Sequence, residues 1–205
     1  MTTSVSTPRL RITLLWYLAL LIISIFTHPA PMNPLISTAV DTLALLAVIG
    51  ACLGRIWCSI FIAGRKDTEL VTDGPYALCR HPLYSLSILG GVGLGCATHS
   101  IVLTTLTLVI LLSLFKQAII TEEKYLALHH EKIFLNYLKC TPRFLPSKIG
   151  FNQWLLTLPS EISIKPNLLW KAFIDAGAFM LLYAVIHTVE LLHLSQVLPS
   201  LLLLP

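Results

Sequence analysis

The sequence of 205 residues has little charge. Asp, Glu, Lys and Arg make up 12% of it, whereas a typical soluble domain has roughly 25%. Hydrophobic residues make up 56%, and the mean hydropathy is +0.81. This composition excludes a soluble globular enzyme, including one built on a soluble dinucleotide-binding fold, and it predicts an integral membrane protein.

The sequence also lacks the patterns of nucleic-acid-binding and metal-binding proteins. Its net charge is +4, but it has no block of five or six basic residues, so nucleic-acid binding has no support. Its cysteines are odd in number, scattered and without a C-x-x-C pair, which predicts neither a disulfide framework nor a zinc site. The adjacent His129 and His130 point apart on a helix. We therefore predict no metal site.

Five apolar segments predict an all-α membrane helical bundle with about five transmembrane helices. They cover residues 12–26, 35–63, 83–97, 101–120 and 168–194. A signal peptide is the alternative for the first segment, but residues 28–31, His-Pro-Ala-Pro, are a poor cleavage site and further spans follow. Closely spaced glycines in the third segment would let neighbouring helices approach closely. They are Gly90, Gly91, Gly93 and Gly95.

The distribution of basic residues predicts the orientation of these spans. Cytoplasmic loops of membrane proteins collect Lys and Arg, and the short connections at residues 28–34 and 98–100 contain neither. All Lys and Arg residues except Arg55 fall on or near the opposite side. We therefore expect a cytoplasmic N-terminus, with residues 64–79 and 121–148 at the cytoplasmic face. The second of these segments is helical in period until Pro142 and predicts interfacial helices.

One polar segment on this face leads into the third span. Proline is favoured in the first helical turn, because its missing N–H would be unpaired there anyway, so Pro82 predicts that His81 caps this helix. The free N–H groups of the helix start, with Arg80 beside them, suit an anion such as a carboxylate or phosphate. A basic, aromatic membrane anchor explains the same residues, and both interpretations stay open.

A second polar segment contains Glu122 and Glu123 at the end of the fourth span. Adjacent helical residues point about 100° apart, so we expect one glutamate to face a site and the other to meet solvent. A carboxylate near the apolar boundary would bind a cation, a pair of hydroxyls or a proton. A solvated helix start is the alternative.

Several ionisable residues lie inside the predicted spans. Such residues are candidates for function, but anchoring of a helix end or mutual pairing explains them equally well. The sequence therefore leaves their roles open. They are Asp41, Arg55, Lys171, Asp175, His187 and Glu190.

Four motifs resemble the membrane methyltransferase family that includes isoprenylcysteine carboxyl methyltransferase and phospholipid N-methyltransferase. They are Glu-Leu-Val-Thr-Asp-Gly-Pro-Tyr at residues 69–76, Arg-His-Pro-Leu-Tyr at 80–84, Glu-Glu at 122–123 and Pro-Arg-Phe-Leu-Pro at 142–146. The similarity covers about residues 64–146. We predict a single membrane-embedded methyltransferase domain over residues 1–205, with an extra C-terminal span over about 168–194.

The resemblance implies that S-adenosylmethionine is the methyl donor and that it binds at the cytoplasmic end of the bundle. The acceptor would be a lipid-like or prenylated molecule in the bilayer, methylated at a carboxylate oxygen or an amine nitrogen. The residues that the resemblance places at the cofactor are Thr68, Glu69, Leu70, Val71, Tyr76, His81, Pro82, Leu83, Tyr84 and Glu122.

The chemistry of the acceptor decides which residues would be catalytic. A carboxylate acceptor is already ionised and needs a cation such as Arg80 to position it. An amine acceptor must lose a proton, for which Glu122 or Glu123 would be the base. We therefore predict Arg80 and Glu122 as catalytic residues. In the prenylcysteine enzymes a basic residue that contacts the acceptor lies four positions before the first glutamate; this chain has Ala118 there, with Lys116 nearby.

Two other classes of protein compete with this interpretation. A membrane sterol-type reductase would use a nicotinamide cofactor in a similar helical bundle, and it would bind NADPH but not S-adenosylmethionine. A non-catalytic membrane scaffold explains the apolar spans but not the polar residues collected on one face.

Overall fold

The computed structural model describes residues 3–29, 32–63, 65, 69–146, 151, 162, 165–198 and 202–204. The helices are α1 Thr3–Phe26, α2 Pro34–Ile62, α3 Pro75–Leu78, α4 Pro82–Cys96, α5 Ile101–His129, α6 Glu131–Cys140 and α7 Pro166–Leu194. Two three-residue strands, β1 Thr27–Pro29 and β2 Leu202–Leu204, pair in parallel. The predicted all-α fold class is confirmed.

Four of the helices are long and apolar enough to cross a bilayer. The apolar segments are Arg9–Phe26 of α1, the whole of α2 and α5, and Pro166–His193 of α7. Helix α4 is apolar but has 15 residues, fewer than the roughly 20 that a span perpendicular to the bilayer needs. The chain is an integral multi-pass membrane protein.

The polar stretch after the predicted fourth span is helical, as expected, but its first part belongs to the same helix as that span. Helix α5 continues past residue 120 to His129, so Glu122 and Glu123 lie inside it. The backbone leaves the helical region at His130, with φ −132° and ψ 35°, and α6 follows. The sequence did not predict this break.

The described chain divides into two compact units. The first comprises Met1–Ile49, Ile88–Leu114 and Ala178–Pro205, and the second comprises Gly50–Ser87 and Phe115–Gly177. In the first unit, helices α1, α2, α4, α5 and α7 each contribute a fully buried apolar side chain to the core. These are Leu20, Val48, Leu94, Leu111 and Ile186.

The glycines of α4 allow close packing inside the first unit, as predicted. A Cβ atom on Gly93 would lie 3.0 Å from the backbone oxygen of Ala44 in α2, and one on Gly95 would lie 2.8 Å from the Cα atom of Thr104 in α5. Larger side chains at these two positions would therefore push against backbone, which cannot move aside as a flexible side chain can.

Candidate functional site

A fixed turn in the second unit presents Tyr76. Gly74 adopts a left-handed conformation with φ 57°, and the backbone N–H of Tyr76 donates to the carbonyl of Asp73. Arg65 Nη1 donates to both carboxylate oxygens of Asp73, at 3.1 and 2.9 Å. This turn leads directly into the one-turn helix α3.

Helix α4 begins at Pro82, immediately after His81, as the sequence predicted. The backbone N–H groups of Tyr84 and Ser85 both donate to the His81 carbonyl, at 3.1 Å. The His81 side chain is 5% exposed. Because burial disfavours the charged imidazolium, the pKa of His81 is lowered below its usual value, and the ring is neutral at pH 7.

Glu123 is the centre of a charged cluster in this unit. Arg80 Nη1 donates to its Oε1 at 2.8 Å, Arg143 Nη2 donates to its Oε2 at 2.6 Å, and His81 Nε2 lies 3.2 Å from its Oε1. The Glu123 side chain is only 14% exposed. The expectation that one of the paired glutamates meets solvent is wrong, because these three side chains bind the carboxylate away from water.

Backbone hydrogen bonds join the same segments. The N–H of Arg80 donates to the carbonyl of Pro142 at 2.8 Å, and the N–H of His81 donates to that of Arg143 at 3.2 Å. Arg80 Nε donates to the carbonyl of Thr141 at 2.9 Å. The motifs at residues 80–84, 122–123 and 142–146 are therefore brought together in the second unit.

Glu122 is bound much less tightly than its neighbour. Its Oε2 lies 3.9 Å from His81 Nδ1, beyond hydrogen-bond distance, and its side chain is 29% exposed. Within the described ranges its carboxylate accepts no hydrogen bond. Glu122 thus has a partly exposed carboxylate beside a neutral imidazole, whereas both carboxylate oxygens of Glu123 accept hydrogen bonds from arginines.

The hydroxyl of Tyr76 is buried and has no hydrogen-bond partner in the part of the chain that the structure describes. Burial, reinforced by the negative charge of nearby Glu122, raises the pKa of Tyr76 well above its usual value, so the hydroxyl stays protonated. An unpaired buried hydroxyl costs about 1–3 kcal/mol. A ligand that bonded with it would remove that cost.

Aromatic and apolar side chains surround these polar groups. The ring of Tyr84 lies 5.1 Å from that of Phe115 and 5.8 Å from the imidazole of His81, between centroids. The ring of Tyr76 packs in a buried cluster with Val71, and Leu83 packs against that cluster. This part of the site is poor in water.

The remaining predicted cofactor residues differ in burial, and one of them is not described. Glu69 is exposed and forms an ion pair with Arg65. Leu70 is half-buried, and Pro82 is buried as the first residue of α4. Thr68 lies outside the described residues. Whether any of these residues binds a cofactor stays a prediction.

Sequence reasoning missed two features of the site. Arg143 appeared only as part of a motif, yet it binds Glu123 through two nitrogens, Nε at 3.2 Å and Nη2 at 2.6 Å. Tyr137 donates from its hydroxyl to the carbonyl of Tyr76 at 2.6 Å, which ties α6 to α3. The sequence contains Arg143 and Glu123, but nothing in it indicates that their side chains meet in the folded chain.

A second polar cluster lies inside the first unit. His99 Nε2 lies 2.7 Å from Asp41 Oδ1, and His99 Nδ1 lies 2.8 Å from Glu190 Oε1. His187 Nδ1 lies 3.3 Å from Glu190 Oε2. Mutual pairing, one of the roles left open for these residues, is therefore confirmed for Asp41 and Glu190, which both pair with His99.

Comparison with known proteins gives relatives of two kinds. The model of the isoprenylcysteine carboxyl methyltransferase family matches residues 35–128. A nickel-cobalt-cadmium resistance protein of Alcaligenes xylosoxydans xylosoxydans is 39% identical over 170 residues, which cover 83% of this chain and 77% of that protein. A cobalt-zinc-cadmium resistance protein of Cupriavidus metallidurans is 33% identical over 177 residues, covering 85% and 78%.

A relative that is named as an enzyme matches a shorter stretch of the chain. The protein-S-isoprenylcysteine O-methyltransferase of Schizosaccharomyces pombe is 37% identical over 81 residues, which cover 40% of this chain and 34% of that protein. No solved structure matches the chain.

Proposed function

The chain belongs to the isoprenylcysteine carboxyl methyltransferase family, and from this premise we propose that it is a membrane methyltransferase that uses S-adenosylmethionine. The acceptor is a lipid-like or prenylated molecule that reaches the site from the bilayer. One observation carries the proposal: the family motifs meet in the second unit around Glu123. Next to this cluster lie Glu122, whose carboxylate is partly exposed, and Tyr76, whose buried hydroxyl is unpaired among the described residues.

The residues of this site fit the donor by their chemistry. The carboxylate of Glu122 complements an ammonium or a pair of ribose hydroxyls, and the unpaired hydroxyl of Tyr76 can bond with a polar group. The aromatic rings of Tyr76 and Tyr84 attract a cation with about 0.5–2 kcal/mol. The N-terminus of α4 offers a carboxylate mainly its helix dipole, because the N–H groups of Tyr84 and Ser85 already bond with the His81 carbonyl. When bound, S-adenosylmethionine supplies a methyl group on a positively charged sulfur, which an oxygen or nitrogen nucleophile can displace.

The protein contributes to this reaction mainly by holding the reacting groups in position and by excluding water. The pairing of Glu123 with Arg80 and Arg143 fixes the segments from which the site is built. Buried apolar and aromatic side chains keep water out, which strengthens the polar contacts. Correct orientation of two reacting groups can lower a barrier by about 7–11 kcal/mol, so little covalent chemistry is needed from side chains.

Arg80 and Glu122 are the proposed catalytic residues. Within the described chain the Nη2 atom of Arg80 makes no hydrogen bond, since Nη1 and Nε bind Glu123 and Thr141, so it can orient a carboxylate acceptor. Glu122 would take the proton of an amine acceptor. Ala118 is buried and Lys116 is exposed, so Arg80 is the cation better placed for a carboxylate.

The proposed topology and setting follow from the sequence and from the relatives. We place the N-terminus and the site at the cytoplasmic face, because the loops on that side collect the basic residues, and we treat residues 1–205 as a single methyltransferase domain with its family-like core at about 64–146. Two relatives are named as metal resistance proteins. We propose that this methyl transfer also serves metal resistance.

The function is tested by methyl transfer in vitro. The full chain, purified in detergent, is supplied with labelled S-adenosylmethionine and one of three acceptors: a prenylcysteine, phosphatidylethanolamine or extracted host lipid. We expect label in at least one acceptor, and its identity decides between oxygen and nitrogen methylation. No transfer to any of them, with NADPH consumed on a sterol-like substrate, would instead favour a reductase.

Substitution of Glu122 tests the proposed donor site. Glu122→Gln removes a charge that the structure leaves unpaired, so the protein should stay folded while its affinity for S-adenosylmethionine falls at least 10-fold. The loss is expected because charge-assisted hydrogen bonds contribute about 1.5–3 kcal/mol. Equilibrium binding is measured alongside Lys124→Ala, which alters an exposed charge two residues away on the same helix. Equal affinity in the two variants would remove Glu122 from the site.

A further inference from the structure

We infer that Asp41, His99, His187 and Glu190 form a binding site for one divalent transition-metal ion within the first unit. This inference is independent of the proposed methyl transfer, because it depends on none of the residues assigned to the donor site. It concerns a part of the molecule for which the sequence predicted no metal.

The ligand atoms already lie close together. One potential ligand atom each from Asp41, His99 and Glu190 lies within 4.8 Å of the others. His187 Nδ1 adds a fourth, at 3.3 Å from Glu190 Oε2 and 3.9 Å from Asp41 Oδ1. The ligands of a tetrahedral zinc ion bound at about 2.0–2.2 Å lie roughly 3.3–3.6 Å from one another, so the side chains would have to close in by about 1 Å to bind one ion. His99 would bind it through one ring nitrogen and release the carboxylate at the other.

The cluster contains polar atoms that the protein itself leaves unsatisfied. The Glu190 side chain is 9% exposed, and its Oε2 atom is buried without a hydrogen-bond partner among the described residues. The same holds for His187 Nδ1, which faces it. In an apolar surrounding each unpaired atom costs free energy. A cation between Glu190 Oε2 and His187 Nδ1 would accept a lone pair from each of these atoms.

The fold holds these side chains in place from several elements. Asp41 lies on α2, and His99 lies in the connection between α4 and α5. His187 and Glu190 lie one turn apart on the same face of α7. His99 has a left-handed backbone with φ 54°, uncommon for a residue other than glycine. Its ring stands between the two carboxylates.

Tyr183 supports the cluster from one side. Its ring stacks on that of His187, with centroids 5.9 Å apart and planes inclined by 10°. Its hydroxyl donates to the backbone carbonyl of Asp41 at 3.3 Å. These two contacts hold the His187 ring and the Asp41 backbone in place.

The donor set indicates the class of ion. Two carboxylates balance the charge of a dication, and two imidazoles favour Zn²⁺, Co²⁺ or Ni²⁺ over Ca²⁺ and Mg²⁺, which prefer oxygen ligands alone. Within the described residues no thiolate joins the cluster, which disfavours Cu⁺. The alternative is a closed network of hydrogen bonds that holds no ion.

Cobalt binding tests the site directly. The untagged full chain, purified in detergent and stripped with a chelator, is titrated with Co²⁺ while visible absorption is recorded, and Zn²⁺ binding is measured by calorimetry. We expect one ion per chain, and visible bands that Zn²⁺ abolishes by displacement. Absence of both saturable Co²⁺ bands and Zn²⁺ heat in the folded protein would overturn the inference in favour of the hydrogen-bonded network.

Variants locate the ion. Glu190→Gln and Asp41→Asn keep the shape of the side chain but lose its charge, so each should weaken Co²⁺ binding at least 10-fold. Having both keeps the test valid should one of them fail to fold. His129→Gln changes an exposed histidine outside the cluster and should bind as the wild type does. Unchanged binding in both cluster variants would overturn the assignment. Glu122→Gln should bind Co²⁺ normally, so failure of the donor site and failure of the metal site are distinguishable.

Discussion

Glu123→Ala should destabilise the protein by about 2–3 kcal/mol. This is below the range of about 3–5 kcal/mol for removing one partner of a fully buried ion pair, because the Arg80 pair is only partly buried and Arg143 is exposed. The carboxylate binds Arg80, His81 and Arg143, and its loss leaves the guanidinium of Arg80, whose side chain is 13% exposed, without its charged partner. The segments at residues 80–81 and 141–143 would lose their common anchor. Thermal unfolding of the variant in detergent measures the effect, and S-adenosylmethionine binding should be lost with it.

Glu69→Ala is the matched control for this substitution. Glu69 also pairs with an arginine, Arg65, in the same unit, but its side chain is 52% exposed. Exposed ion pairs contribute about 0–1 kcal/mol, so this variant should unfold close to the wild type. If Glu123→Ala and Glu69→Ala unfolded at the same temperature, Glu123 would not be the anchor of the site.

Gly74→Ala should be nearly as damaging, although it adds only one methyl group. A Cβ atom on Gly74 would lie 2.2 Å from Cε1 of Phe61, and the backbone there has φ 57°. The left-handed conformation alone costs a residue with a Cβ atom about 1–2 kcal/mol, and the contact with a buried ring adds to that. We expect a destabilisation of at least about 2 kcal/mol and weaker donor binding, because Tyr76 lies only two residues after Gly74.

Gly177→Ala provides the opposite case in the same unit. Gly177 lies inside α7, and a Cβ atom there would meet nothing within 4 Å. Alanine is favoured over glycine in a helix interior by about 0.5–1 kcal/mol, so this variant should be as stable as the wild type or more so. Similar unfolding temperatures for Gly74→Ala and Gly177→Ala would contradict the account of the turn.

The long helices were predictable because a bilayer imposes simple rules on sequence. The second and last spans, predicted at residues 35–63 and 168–194, correspond to Pro34–Ile62 and Pro166–Leu194. Within hydrocarbon every backbone polar group must be satisfied inside the segment, so an apolar run and a helix coincide. Helix α5 continues beyond its apolar run. Glu123, in its last turns, is neutralised there by Arg80 and Arg143 from outside the helix.

The site was predictable in outline but not in its pairings. The motifs indicated that residues near 76–84 would meet the glutamates, yet nothing local distinguished Glu122 from Glu123. That difference comes from Arg80 and Arg143, which approach from other segments. The cluster around His99 was hidden for the same reason, because Asp41 and Glu190 are distant in sequence and meet only in the folded chain.

Equilibrium binding of S-adenosylmethionine to the purified, folded full chain is the most direct measurement of whether the second unit is a methyl-donor site. The account predicts saturable binding of one molecule per chain and a higher unfolding temperature in its presence. Folded protein that shows neither binding nor a shift in unfolding temperature, at donor concentrations that saturate other methyltransferases, would contradict it.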